Sequence, residues 1–240
     1  MKQQIFYLFN LTVGRVVRLF QASLNQDKSP EGVFHLIKQL ALQDSAQYAL
    51  SNFTSAMPFN TRPELWSYCI ERIPQLKTEG GLISEFGVWK GESINFFAKS
   101  CPKARVFGFD SFEGLEEDWY GRPMKKGEFS TEGQLPECED NVSLLKGWFI
   151  DTLPEFCNQL QQHQILLLHM DADTYKPTAY VLDTLKSNLR KGSIVIFDEY
   201  FGYPNFRSHE FKAWQEFIKS NGIQYRYVGY TESQVAVEIL

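Results

Sequence analysis

Four carboxylates fall in two short stretches, Met170-Asp171-Ala172-Asp173-Thr174-Tyr175 and Phe197-Asp198-Glu199-Tyr200. Each stretch closes an apolar run of the kind that forms a buried strand, so the acids are expected together at one edge of a sheet. A single carboxylate after a strand commonly caps the next helix. Four of them at two neighbouring strand ends would repel one another without a counter-ion. Asp171, Asp198 and Glu199 are hard oxygen donors, which suit Mg²⁺ or a similar divalent cation better than zinc. Asp171 and Asp173 are the candidate catalytic acids, with Asp173 placed to take a proton. His169, two residues before Asp171, reads as a core histidine. His209, after Arg207, reads as an exposed residue at a helix start, with substrate contact as the alternative.

A second group of residues has the types that hold a nucleoside. Glu85-Phe86-Gly87-Val88-Trp89-Lys90-Gly91-Glu92-Ser93 follows a short apolar run. Its glycines let the backbone turn sharply and approach a ligand closely. The spacing G-x-x-x-G is not the G-x-G-x-x-G that cradles a pyrophosphate, and no P-loop pattern occurs, so a ligand without phosphates fits better. Glu85 can attract an ammonium or sulfonium group. Asp110 lies 23 residues after Gly87, a spacing at which an acid can bind ribose hydroxyls; a turn or cap aspartate is the alternative.

The elements that must position these residues are legible as a pattern. Leu82–Phe86, Arg105–Asp110, Val142–Leu145, Gln164–Met170 and Ser193–Phe197 read as strands, separated by helical stretches such as 150–160 and 178–189. Strand alternating with helix predicts a parallel sheet covered on both faces. Tyr225–Val228 and Gln234–Ile239, joined by a short polar turn, predict a terminal hairpin that brings in an antiparallel strand. The fold class is therefore α/β, a doubly wound, seven-stranded and mostly parallel sheet. Residues 1–75 read as an N-terminal helical extension or lid, with helix starts at Ser29-Pro30-Glu31 and Asn60-Thr61-Arg62-Pro63-Glu64. The loop 111–141 is too long for a plain connection, and with Trp119, Tyr120, Met124 and Phe129 it reads as a substrate lid.

Composition bounds the function. The chain has 240 residues, 43% hydrophobic and 22% charged, with a net charge of -5; mild acidity gives no reason to expect nucleic acid. Cys69, Cys101, Cys138 and Cys157 form no metal-binding pair and read as free thiols of a cytoplasmic protein. The N-terminal apolar residues are interrupted by Asn10, Gly14, Arg15 and Arg18, so no membrane span or signal peptide is expected. Phe6, Phe9, Val13, Val17 and Phe20 share a helical face, and its cover is expected to be the domain itself or a second subunit, which predicts a homo-oligomer; a membrane-surface helix is the alternative, disfavoured because only Lys2, Arg15 and Arg18 are basic there.

The motifs Glu85 to Gly91, Phe109-Asp110-Ser111-Phe112-Glu113-Gly114-Leu115, and Lys146-Gly147-Trp148-Phe149 with Asp151-Thr152-Leu153-Pro154 occur in order on successive elements. Over roughly residues 60 to 240 the chain resembles the class I S-adenosylmethionine (SAM) methyltransferases, and more narrowly the macrocin O-methyltransferase (TylF-like) family. The resemblance implies a Rossmann-like SAM-binding domain at residues 76–240. Carried over, Glu85, Phe86, Gly87, Gly91 and Ser93 lie at the amino-acid part of SAM, Asp110 and Ser111 at the ribose, and Gly147-Trp148 near the adenine, with Asp171 beside the cofactor. An acid-x-acid-x-Tyr stretch and the acid pair after the next strand imply the divalent metal site. Asp198-Glu199 stands where two aspartates are common in the family, which puts the ligand geometry in doubt. The implied activity is methyl transfer to a hydroxyl of a small molecule, a sugar hydroxyl of a glycosylated product. The rivals are a metal-independent SAM methyltransferase with another acceptor atom, and a nucleoside- or NAD-binding module without catalysis.

Overall fold

The computed structural model describes residues 32–161 and 163–240. In chain order these form α1 (Val33–Asn52), β1 (Met57–Pro58), α2 (Arg62–Glu71), α3 (Gln75–Thr78), β2 (Leu82–Phe86), α4 (Glu92–Ser100), β3 (Arg105–Asp110), β4 (Val142–Lys146), α5 (Phe149–Leu160), β5 (Ile165–Met170), α6 (Tyr175–Thr184), β6 (Ile194–Phe197), a 3₁₀ turn (Phe206–Ser208), α7 (Glu210–Asn221), β7 (Tyr225–Tyr230) and β8 (Val235–Ile239). Residues 40–240 make one compact unit. The proposed helix at the N-terminal end and the Ser29-Pro30-Glu31 start lie outside the described residues.

The strands form one sheet in the order β1-β7-β8-β6-β5-β2-β3-β4. The expected doubly wound, mostly parallel sheet with a terminal antiparallel hairpin is present. It has eight strands rather than seven, because Met57–Pro58 pairs parallel with Gly229 and Tyr230 at the edge. Two residues with no apolar alternation carry no strand signal, and Pro58 suits an edge where no ladder donor is needed. Residues 40–75 belong to the same compact unit as the sheet. Within it Thr61 and Glu64 cap α2 reciprocally, with Pro63 in the first turn, the arrangement the Asn60–Glu64 sequence predicts.

The strand order reverses beside β2. From β2 the chain runs outward through β3 and β4, then returns to place β5 against the other edge of β2. The carboxyl ends of β2 and β5 therefore flank a crevice. Alternation along each strand builds two cores. Phe86, Phe109, Leu168, Met170, Val195 and Phe197 point to one face. Ile83, Val106, Leu167, Ile194 and Ile196 point to the other, under α2 and α4. Glu85 and His169 are register partners on this second face, which carries polar residues directly beneath the crevice.

Candidate active site

Gly87 closes β2 at φ +94, and a Cβ there would run into the carbonyl oxygen of Asp171. This contact is why the turn needs glycine and why β2 and β5 can end side by side. Gly91, at φ +80, starts α4 in the left-handed region. Asp110, at the end of β3, binds the turn rather than standing free. One carboxylate oxygen accepts the N–H groups of Val88 (2.8 Å) and Trp89 (2.7 Å), and the other accepts that of Phe112 (2.7 Å).

Above these strand ends lies a cavity of about 640 Å³, a size suited to a cofactor with part of a substrate. Of the sequence-predicted residues, Gly87, Asp110, Ser111, Trp148, Asp171, Asp173, Asp198 and Glu199 line it. Glu85, Phe86, Gly91, Ser93 and Gly147 do not. Phe86 is packed in the core, stacked on Phe109. Glu85 is fully buried beneath the turn, where its oxygens accept the Ser93 hydroxyl (3.0 Å) and meet His169 Nδ1 (3.0 Å). Ser93 and Glu85 are thus linked to the cavity wall through His169 and Asp198. The aromatic wall comes from Trp89, Trp119, Phe129, Trp148 and Phe149, with Phe129 set edge-on to Trp89.

The acids form one cluster. Asp198 meets Arg62 (2.8 Å), the amide of Gln234 and, at 3.5 Å, Nε2 of His169. Glu199 is held by Arg122, with Arg62 at 3.7 Å. The carboxylates of Asp171 and Asp173 have no hydrogen bond or ion pair among the described residues, although both face the cavity. Burial pushes Asp171 well above the usual carboxylate range, and Asp198 and Asp173 push it further. Burial does the same to Asp173, reinforced by Glu210, Glu199 and Asp198. Burial and Asp198 raise Glu199 to about 7 against the pull of the two arginines. Asp198 is depressed, because His169 and Arg62 outweigh its burial. The ionised carboxylate is therefore disfavoured at Asp171 and Asp173, whereas Asp198 is held ionised by its cationic neighbours.

Atoms that could share one cation come from His169, Asp171 and Asp198, all within 4.8 Å of one another. Glu199, expected as the third ligand, is instead turned to the arginines. His169 is a core histidine, as read from the sequence, yet it is tied to both Glu85 and Asp198. His209 is neither exposed nor on the cavity wall. It is 6% exposed and binds the carbonyl of Tyr120 at 2.7 Å, because loop 111–141 folds back over the start of α7. That loop reaches the cavity with Trp119, Arg122, Met124 and Phe129, and the Arg122 guanidinium lies against the rings of Trp119 and Tyr203. Sequence reasoning missed Arg62, Arg122, Gln234 and Glu210. Arg62 sits inside a helix-start motif and Arg122 inside a loop without periodicity, so neither carries a local signal.

Comparison with known proteins bears on the family and the fold. The family model "Macrocin-O-methyltransferase (TylF)" matches residues 43–228. An 8-demethyl-8-(2,3-dimethoxy-alpha-L-rhamnosyl)-tetracenomycin-C 4'-O-methyltransferase of Streptomyces olivaceus is 31% identical over 55% of this chain and 58% of its own length. A mycinamicin III 3''-O-methyltransferase of Micromonospora griseorubida is 27% identical over 55% of this chain and 60% of its own. The matched stretch thus spans less than two thirds of either relative. Among solved structures, the calicheamicin methyltransferase CalS11 superposes with a TM-score of 0.58 at 23% identity, over 88% of this chain and 93% of its own. The O-methyltransferase NovP gives 0.57 at 22% identity, over 74% and 78%; both likenesses concern the fold. With most of its length matched by the family model, the chain belongs to the macrocin O-methyltransferase (TylF) family.

Proposed function

We propose that this protein transfers a methyl group from SAM to a sugar hydroxyl of a glycosylated small molecule, with a divalent cation at the acid cluster. The observation that carries the reading is the pair of carboxylates, Asp171 and Asp173, that have no hydrogen bond or ion pair among the described residues and face a cavity at the β2/β5 reversal point. The names of the two relatives, a 4'-O-methyltransferase of a rhamnosyl-tetracenomycin and a 3''-O-methyltransferase of mycinamicin III, support the acceptor class.

The cofactor half of the cavity belongs to Gly87, Asp110, Ser111 and Trp148. Asp110 has about four lone-pair sites, and three backbone N–H groups occupy three of them. One remains to accept a ribose hydroxyl. Indole and phenyl faces at Trp148 and Phe149 suit a flat base. Asp171 and Asp198 are the residues that would hold the cation. When bound, it lowers the pKa of the acceptor hydroxyl and orients it. Asp173 receives the proton. The acceptor oxygen attacks the SAM methyl carbon in line, the carbon–sulfur bond breaks, and its electron pair stays on sulfur to give S-adenosylhomocysteine (SAH).

A metal-independent route has one observation in its favour: Arg62 and Arg122 already compensate Asp198 and Glu199. The test is to incubate the protein with SAM, Mg²⁺ and a panel of rhamnosides and other deoxysugar glycosides, and to follow products by mass spectrometry. The expected result is single O-methylation that Asp173→Asn abolishes. Binding of NAD in place of SAM by calorimetry, or methylation at nitrogen or carbon, would overturn the proposal.

A further inference from the structure

We propose that Glu210 is the positioning residue of this site: its carboxylate sets the spacing between the two strand-end loops that carry the four acids. The inference rests on the reading of those acids as the reaction centre. Glu210 is the first residue of α7 and is fully buried. Its Oε1 accepts the N–H of Ala172 at 3.3 Å, and its Oε2 accepts the N–H of Glu199 at 3.1 Å. Ala172 lies between Asp171 and Asp173, and Glu199 follows Asp198, so one side chain binds both loops at their centres.

The need for such a clamp is visible in the backbone. The β5–β6 ladder closes with Asp198 N–H on Met170 carbonyl at 2.9 Å. Beyond it the β5 loop takes an uncommon path. Asp173 is at φ +61, and Thr174 N–H turns back onto the Ala172 carbonyl at 2.6 Å. A non-glycine residue in the left-handed region persists only where its surroundings hold it. The choice of glutamate supports a role beyond packing. Burying a carboxylate beside Asp171, Asp198 and Glu199 is unfavourable, and an apolar residue would fill the space at less cost. Two N–H donors and the start of a helix are the compensation present.

The test uses the full-length Glu210→Gln variant, whose amide keeps the volume but offers one acceptor where two are needed. Methyl transfer is measured on the panel glycoside that the wild type methylates, SAH affinity by calorimetry, and amide hydrogen exchange at Ala172 and Glu199. The expected result is kcat lower by at least about tenfold, the worth of a lost hydrogen bond to a charged group. SAH affinity should stay close to wild type, because Gly87, Asp110 and Trp148 stand on other loops. Exchange at both amides should quicken, and Glu210→Asp should recover part of kcat. If the Gln variant does not fold, Glu210→Asp is judged by the same split. Faster exchange with unchanged kcat would overturn the proposal, as would kcat, SAH affinity and Tm falling together. Full activity in Asp171→Asn and Asp198→Asn would instead sink the reading of the acids, whereas inactivity there with a fully active Glu210→Gln removes the positioning role alone.

Discussion

Asp110 ties the glycine turn to the loop after β3, and the proposed ribose contact would use the carboxylate lone pair left over. Its carboxylate holds the Val88 and Trp89 amides of the glycine turn and the Phe112 amide of the following loop. Asp110→Ala should therefore weaken SAM at least about tenfold, since a lost hydrogen bond to a charged group is worth roughly 1.5–3 kcal/mol. Calorimetry with SAH checks it; unchanged affinity in a folded variant would remove Asp110 from the cofactor site. The acids at 171, 173, 198 and 199 were legible because residue type and strand position coincide in the sequence. Their partners were not. Arg62 arrives from α2 and Arg122 from the long loop, and no spacing along the chain reports a contact made only in three dimensions. For the same reason Glu199 reads as a ligand in sequence but meets guanidinium groups in the fold, and His209 reads as exposed but is covered by the carbonyl of Tyr120.

Among the elements, the junction of β2 and β5 is the most constrained. Gly87→Ala would place a methyl group against the Asp171 carbonyl at a positive φ. Strain of this kind costs on the order of 1–3 kcal/mol before any clash is relieved. The expected outcome is a lower Tm and loss of SAH binding in the same variant; wild-type SAH affinity would show that β2 and β5 are not held so closely. At the far side of the sheet, Glu238 of β8 joins Arg72, at the end of α2, to Arg226 of β7. Burial alone would raise the Glu238 carboxyl, but the hydrogen bonds from the two arginines outweigh it and hold it low. A depressed carboxyl contributes stability above its unfolded pKa of about 4.3 and loses it as pH falls through the folded value. Glu238→Gln should thus lower stability by about 1 kcal/mol or less near neutral pH, and the difference should vanish in acid. A difference in Tm that is constant down to acid pH would contradict the assignment. The central strands β5 and β6 announced themselves as apolar runs buried on both faces, whereas Met57–Pro58 pairs only because the end of β7 is there to receive it.

At the scale of the whole molecule, two properties remain to be measured. Self-association, expected from the apolar face of Phe6, Phe9, Val13, Val17 and Phe20, is checked by light scattering on the full chain and on one lacking residues 1–25. The expected outcome is an oligomer that the truncation dissociates, and a monomer in both cases would contradict it. No helix among the described residues is long and apolar enough to cross a membrane. The central claim is that cofactor and cation occupy separate parts of one cavity, SAM on the β2, β3 and β4 side and the cation at Asp171 and Asp198. The most direct measurement compares SAM affinity with methyl transfer, with and without excess chelator, in the wild type and in Asp198→Asn. The account predicts that chelation or the substitution abolishes transfer while SAM affinity changes only a few-fold. Full transfer in excess chelator would contradict it in favour of the arginine-compensated route, and loss of SAM binding along with transfer would mean that these acids hold the cofactor itself.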